Sequence, residues 1–239
     1  MKKKYLFRIM GMALFLIGVV LGMLLFGVSA WADLEAAFYG FEDMGGGRLS
    51  TVDCPVLMTT SEVGTVAAIF KNPYAKTIQY TVFADFSNRG LLRRDPLKKF
   101  SLDAHKSERV LWQVTSADID MGNFIFAQVS NYPVGDKVTF RQATCGIMVL
   151  NLSQFTGQQV FTLAMIVIAI GIVGGLALWE AYARPLTDKL QETTRAMKTL
   201  GVLVMLGLLV SFQGLWMFGV LLFAAAVLAI GVILGFLLA

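Results

Sequence analysis

Side chains able to exchange protons, attack a substrate or bind a metal are scarce in this chain, and their spacing narrows the options further. His105 is the only histidine, so a zinc, copper or haem site built on two or more histidines is excluded by count. A Ser-His-Asp triad would have to use that same His105, and no G-x-S-x-G turn is present. Gly45-Gly46-Gly47 is followed by no Lys-Ser/Thr pair, so it is a joint between elements and not a phosphate loop. Cys54 and Cys145 are too far apart for a C-x-x-C redox motif. No catalytic residue, cofactor site, metal site or small-molecule substrate is expected, and the residues argue against an enzyme.

Two other groups could make contacts. Arg89, Arg93, Arg94, Lys98 and Lys99 cluster in a polar excursion, offset by Asp95. They could meet anionic lipid headgroups or an acidic partner; the alternative is that they protect a sheet edge. Gly18 and Gly22, Gly171 and Gly175, and Gly231 and Gly235 each form G-x-x-x-G, a spacing that lets helix backbones approach closely. Glycine is also common in membrane helices, so these pairs are candidate packing sites and no more.

The elements that must carry these residues are set by hydropathy. Hydrophobic residues make up 56% of the 239, a membrane composition. A basic head, Lys2, Lys3, Lys4 and Arg8, precedes an apolar run from Ile9 to Val28, about 20 residues and long enough to span a bilayer. Ala30-Trp31-Ala32 has the form of a signal-peptidase site, so a cleaved leader is an alternative to the anchor, which the length of the run favours. Residues 1–30 are therefore read as basic head and first transmembrane helix. Residues 31–49 form an interfacial amphipathic segment with Trp31, Leu34, Ala37, Phe38 and Phe41 on its apolar side, followed by a glycine linker. The bland alternative is that this segment is the last turns of the first helix.

After the middle of the chain, residues 158–180 form a second transmembrane helix. Residues 181–198 form a mixed-charge cytoplasmic loop in which Leu186, Leu190 and Met197 make a weak apolar stripe. Residues 199–239, free of charge, form a helical hairpin turning at Ser211-Phe212-Gln213-Gly214. That makes four transmembrane helices. The basic excess falls on the cytoplasmic side of this topology, with both termini cytoplasmic in an inner membrane. Acidic and basic residues nearly balance between Ser29 and Thr156, so no nucleic-acid surface is expected.

Residues 50–150 alternate in short apolar runs separated by turns. Val52 to Met58, Thr65 to Lys71, Thr77 to Phe86, Val110 to Val114, Asn123 to Ser130 and Val138 to Val149 carry this pattern. About seven strands are expected in an antiparallel, Ig-like β-sandwich outside the cytoplasm, periplasmic or extracellular. Within Thr77 to Phe86, Ile78, Tyr80, Val82, Ala84 and Phe86 point one way, and Thr77, Gln79, Thr81 and Asp85 the other. Cys54 and Cys145 bracket this stretch in an oxidising compartment. A disulfide is expected, stabilising by about 4 kcal/mol in the chain-entropy model; two buried free thiols are the alternative.

The run Gly64-Thr65-Val66 through Asn72-Pro73, then Leu102 to Trp112, is similar to bacterial immunoglobulin-like extracytoplasmic domains of the CARDB type. The usual turn glycine is replaced here by His105-Lys106. The resemblance implies a fold over the middle two fifths of the chain, and no active site, because such domains have none in common. A non-catalytic accessory or scaffold subunit of a larger membrane complex follows, with membrane lipids and other membrane-protein subunits as partners. The alternatives are a membrane-anchored module that recognises an extracellular polymer or protein, and an assembly factor or exporter component.

Overall fold

A computed structural model describes residues 2–41, 47–49, 51–88, 91–133, 140–183 and 188–238. The chain divides into two compact units, Trp31–Val160 and Met1–Ala30 with Phe161–Ala239.

The first unit is built of strands. Among the described residues they are β1 (Gly47–Arg48), β2 (Val52–Asp53), β3 (Leu57–Thr59), β4 (Gly64–Lys71), β5 (Ile78–Asn88), β6 (Leu91–Arg94), β7 (Lys98–Leu102), β8 (Ser107–Val114), β9 (Phe124–Pro133) and β10 (Arg141–Leu150). One sheet runs β1-β10-β9-β5-β6, with β3 also on β10 and β7 also on β5; the other runs β2-β4-β8. The period-2 apolar residues meet in one core. Val66, Ala68 and Phe70 of β4 and Val110, Trp112 and Val114 of β8 cluster with alternate residues of β5, β9 and β10. The Cys54–Cys145 disulfide is formed, with α-carbons 6.6 Å apart.

Three expectations need correction here. The larger sheet is mixed and not wholly antiparallel, since β1 and β3 both pair parallel with β10. The first predicted strand, Val52 to Met58, is two strands with Pro55 between them, because proline cannot donate to a ladder. The polar excursion after β5 contains β6 and β7, both paired to β5; its charges hide the strand pattern.

β5 is also buried on both faces. Thr81, Asp85 and Ser87, which alternation turns toward solvent, are buried together with Phe83. That second face carries the Arg94 guanidinium 4.8 Å over the Phe83 ring, and Tyr132 stacked on Phe83 at 5.1 Å.

The second unit is helical. Its elements are α1 (Lys2–Phe38), whose last turns belong to the β unit, α2 (Gly157–Ala169), a π-helical turn (Ile170–Gly174), α3 (Gly175–Ala183), α4 (Asp188–Phe212) and α5 (Trp216–Leu238). Among the described residues, three helical stretches are long and apolar enough to cross a membrane, in place of the expected four: Lys4–Phe38, Gly157–Tyr182 and Leu190–Phe212. In α5 the described residues supply the apolar stretch Trp216–Gly231.

The stretch 181–198 is not a separate loop over its described second half, because α4 begins at Asp188. Leu190 and Met197 join the helical core, the Trp179 indole donates to Thr194 Oγ1 at 2.9 Å, and Lys198 pairs with Glu180 at 2.6 Å. Leu186 lies outside the described residues.

Backbones touch where the glycine spacing allows it. A β-carbon on Gly18 would stand 2.7 Å from the Ile172 nitrogen and 2.9 Å from the Gly171 α-carbon. Gly175 abuts the backbone of Phe15 and the Gly11 carbonyl, while Gly22 meets only the side chains of Val204, Ile168 and Leu208. Gly11 was not singled out from sequence; its seven-residue spacing to Gly18 is the signal. Gly231 has open space around it, and Gly235 lies in α5.

Because the neighbour at Gly18 is backbone and cannot rotate away, Gly18→Ala must push helices apart. The expected cost is about 1–3 kcal/mol. Thermal unfolding of the detergent-solubilised chain should show a lower midpoint for Gly18→Ala and an unchanged one for Gly231→Ala.

Candidate functional site

The basic cluster is the one group of charges that sequence singles out as a binding surface, and in the structure most of it is engaged by its own domain. Arg94 grips Asp85 through two parallel bonds of 2.7 and 2.8 Å, and Asp85 is 1% exposed. Arg93 donates to Asp118 at 2.6 and 3.2 Å, pairs with Asp95, and lies 4.5 Å over the Phe86 ring.

β8 is the edge of the smaller sheet, and its outward carbonyls are covered from this cluster. Arg93 donates to Gln113 O at 3.1 Å and Lys98 to Leu111 O at 2.6 Å. Lys98 also sits 5.1 Å over the Trp112 ring. Charged side chains so placed block pairing of a further strand at that edge. Lys99 is exposed, and Arg89 lies outside the described residues.

Two carboxylates that no sequence pattern marks tie the last turns of α1 and the first turn of α2 to strands of the β unit. Asp33, in the last turns of α1, accepts from the Gly146 N–H of β10 at 3.0 Å. A β-carbon at Gly146 would collide with the Ala32 carbonyl. The face of this segment that is buried is therefore Ala32, Asp33 and Ala36. The expected apolar face is exposed at Trp31, Ala37 and Phe38. A small-residue face lets the helix lie against the strand. The only warning in the sequence is an isolated glycine inside a strand pattern, a mark of close backbone approach.

Glu62 Oε1 accepts from Thr59 N–H at 2.6 Å and from Gly157 N–H, the first residue of α2, at 2.8 Å. An acceptor there satisfies an orphan donor and suits the positive end of the helix dipole. Thr156 and Gln159 add a reciprocal capping box.

Asn72, buried at the turn after β4, donates to the carbonyls of Lys76, Leu102 and Asp103 at 2.7–3.0 Å and accepts from Tyr74 N–H at 2.9 Å. His105 is exposed at φ 60 in the following turn, the left-handed conformation that glycine would take more cheaply. Among the described residues, no group of three or more His, Cys, Asp or Glu is placed to hold a metal ion.

Burial is also what perturbs titration. The Tyr39 hydroxyl is raised by burial and by its bond to Asp120.

No family model matches the chain, and no curated protein matches it. Solved structures resemble parts of it. A cycloisomaltooligosaccharide glucanotransferase from Paenibacillus sp. is 16% identical at a TM-score of 0.35, over 44% of this chain and 14% of that one. A CARDB domain from Pyrococcus furiosus is 10% identical at 0.32, over 42% of this chain and 90% of that one. A β-glucosidase from Listeria innocua is 12% identical at 0.31, over 41% and 15%. The chain thus spans only about a seventh of the two enzymes' length. None of these likenesses bears on activity.

Two outcomes follow from these pairings. Asp33→Ala removes the acceptor of the buried Gly146 N–H and should lower the stability of the β unit by about 1–3 kcal/mol in denaturant unfolding. Arg94→Ala leaves the Asp85 carboxylate buried and unpaired and should destabilise by about 3 kcal/mol. Lys99→Ala should leave the denaturation midpoint unchanged.

Proposed function

We propose that the chain is a non-catalytic integral membrane protein, an accessory or scaffold subunit that presents an Ig-like domain outside the cytoplasm within a larger membrane complex. The observation that carries this reading is where the charged groups go. Asp33, Glu62, Asp85, Asp118, Arg93 and Arg94 each bind a partner within the β unit, an arrangement that supports an architectural role for them.

A disulfide in the β unit supports an oxidising compartment for it. The basic head before α1 supports a cytoplasmic N-terminus in an inner membrane. The apolar side chains that α2, α4 and α5 leave exposed, Leu163, Val202, Leu209 and Leu221 among them, suit lipid and the helices of other subunits.

Purification in a mild detergent followed by native mass spectrometry tests the assignment. Co-purifying membrane subunits in fixed stoichiometry are the expected result. A monomer that binds an extracellular polymer or protein would overturn it in favour of an anchored recognition module.

A further inference from the structure

Three loops of the β unit meet where β10 runs out toward α2. Thr60 N–H donates to Leu150 O at 3.0 Å, Thr60 Oγ1 lies 3.3 Å from Asn151 Oδ1, and Ser61 donates to Leu152 O at 3.5 Å. Val149 N–H donates to Asn123 O at 2.7 Å, which brings the Asp120–Asn123 turn to the same end. Each loop turns apolar side chains outward: Val63 is 60% exposed, Met121 58%, Phe155 51% and Leu152 38%.

We propose that this end of the β unit is a lipid-contacting surface, with Val63, Met121, Leu152 and Phe155 seated in the headgroup region of the bilayer that α2 enters. The inference rests on the reading of α2 as a membrane-crossing helix.

Continuity of the chain argues for lipid as the occupant. Phe155 stands two residues before Gly157, the first residue of α2, and the stretch Gly157–Tyr182 is long and apolar enough to span. At about 3.3 Å per residue, Phe155 lies within about 7 Å of the point where that helix begins. The chemistry of the rim agrees. Between the apolar residues stand Thr60, Ser61, Asn123, Asn151, Ser153 and Gln154, all uncharged. The carboxylates at this end already have donors: Glu62 binds two backbone N–H groups, and Asp120 accepts from Tyr39 and from Met121 N–H. Uncharged polar groups among exposed apolar side chains suit the boundary between headgroups and acyl chains.

The backbone at Met121 adds a second observation. Its φ is 46, a conformation in which a non-glycine residue is uncommon and costs energy. An exposed methionine is held there at the tip of a turn, where an apolar side chain gains nothing from water but fits among lipid chains.

The test uses the full chain reconstituted in phosphatidylcholine vesicles, with single cysteines labelled by bimane and the native disulfide left oxidised. Labels at Val63→Cys, Met121→Cys, Leu152→Cys and Phe155→Cys should lose most of their emission to phosphatidylcholine carrying a headgroup nitroxide and little to aqueous iodide. Leu111→Cys on β8 should show the reverse, and Val167→Cys in α2 should respond to an acyl-chain nitroxide. If the four rim labels follow Leu111→Cys while Val167→Cys is quenched by lipid, the surface is solvent-facing and the inference is wrong although α2 spans. Rim labels quenched by neither reagent would mean a protein occupant, a second copy of this chain, and would also overturn it. A Val167→Cys label out of reach of lipid would remove the membrane reading along with the inference.

Discussion

The carbonyl oxygen of Ala32 lies where residue 146 would otherwise carry a β-carbon, and beside it the Asp33 carboxylate takes the Gly146 N–H. β10 is flanked on that side by β1 and β3, which pair with its two ends; among the described residues no strand pairs with its middle there. A buried strand N–H without an acceptor is costly. The last turns of α1 supply the acceptor from a side chain, and the contact requires glycine on the strand and small residues on the helix.

Charge in the β unit follows the same logic. Asp85 and Asp118 are almost wholly buried, a state that carboxylates tolerate only when paired and hydrogen-bonded. Arg94 and Arg93 meet that need, and with Lys98 they also cover rings and the carbonyls of the β8 edge. A cluster that looks like a binding patch in one dimension is thereby largely a set of internal braces, in which Arg94, Lys98 and Lys99 keep exposed surface. Glu62 likewise fixes the first turn of α2 against β3 through two backbone donors.

In the helical unit, the constraint is steric. Gly18 against Gly171 and Gly175 against Phe15 bring backbones into contact where α1 passes the π-helical turn. Helices that share an apolar surround gain little from hydrophobic burial against one another, so close backbone packing is a principal source of attraction. The larger apolar side chains, Phe15, Phe26, Val204 and Leu208, fill the space around these contacts.

Much of this was legible in order along the chain. Apolar length, period-2 alternation, the glycine spacings and the cysteine pair each depend on residues near in sequence or on simple counts, and they determined the membrane-type helices, the sandwich core and the candidate disulfide. The mixed sheet, the strands inside the polar excursion, the pairing of Arg93 and Arg94, and the roles of Asp33, Glu62 and Gly146 were decided only by the tertiary structure. Each depends on which groups are brought together across tens of residues, and burial then sets whether a charge faces water or must find a partner. Periodicity reports which face of a segment is apolar; it carries no information about what comes to lie on the other face.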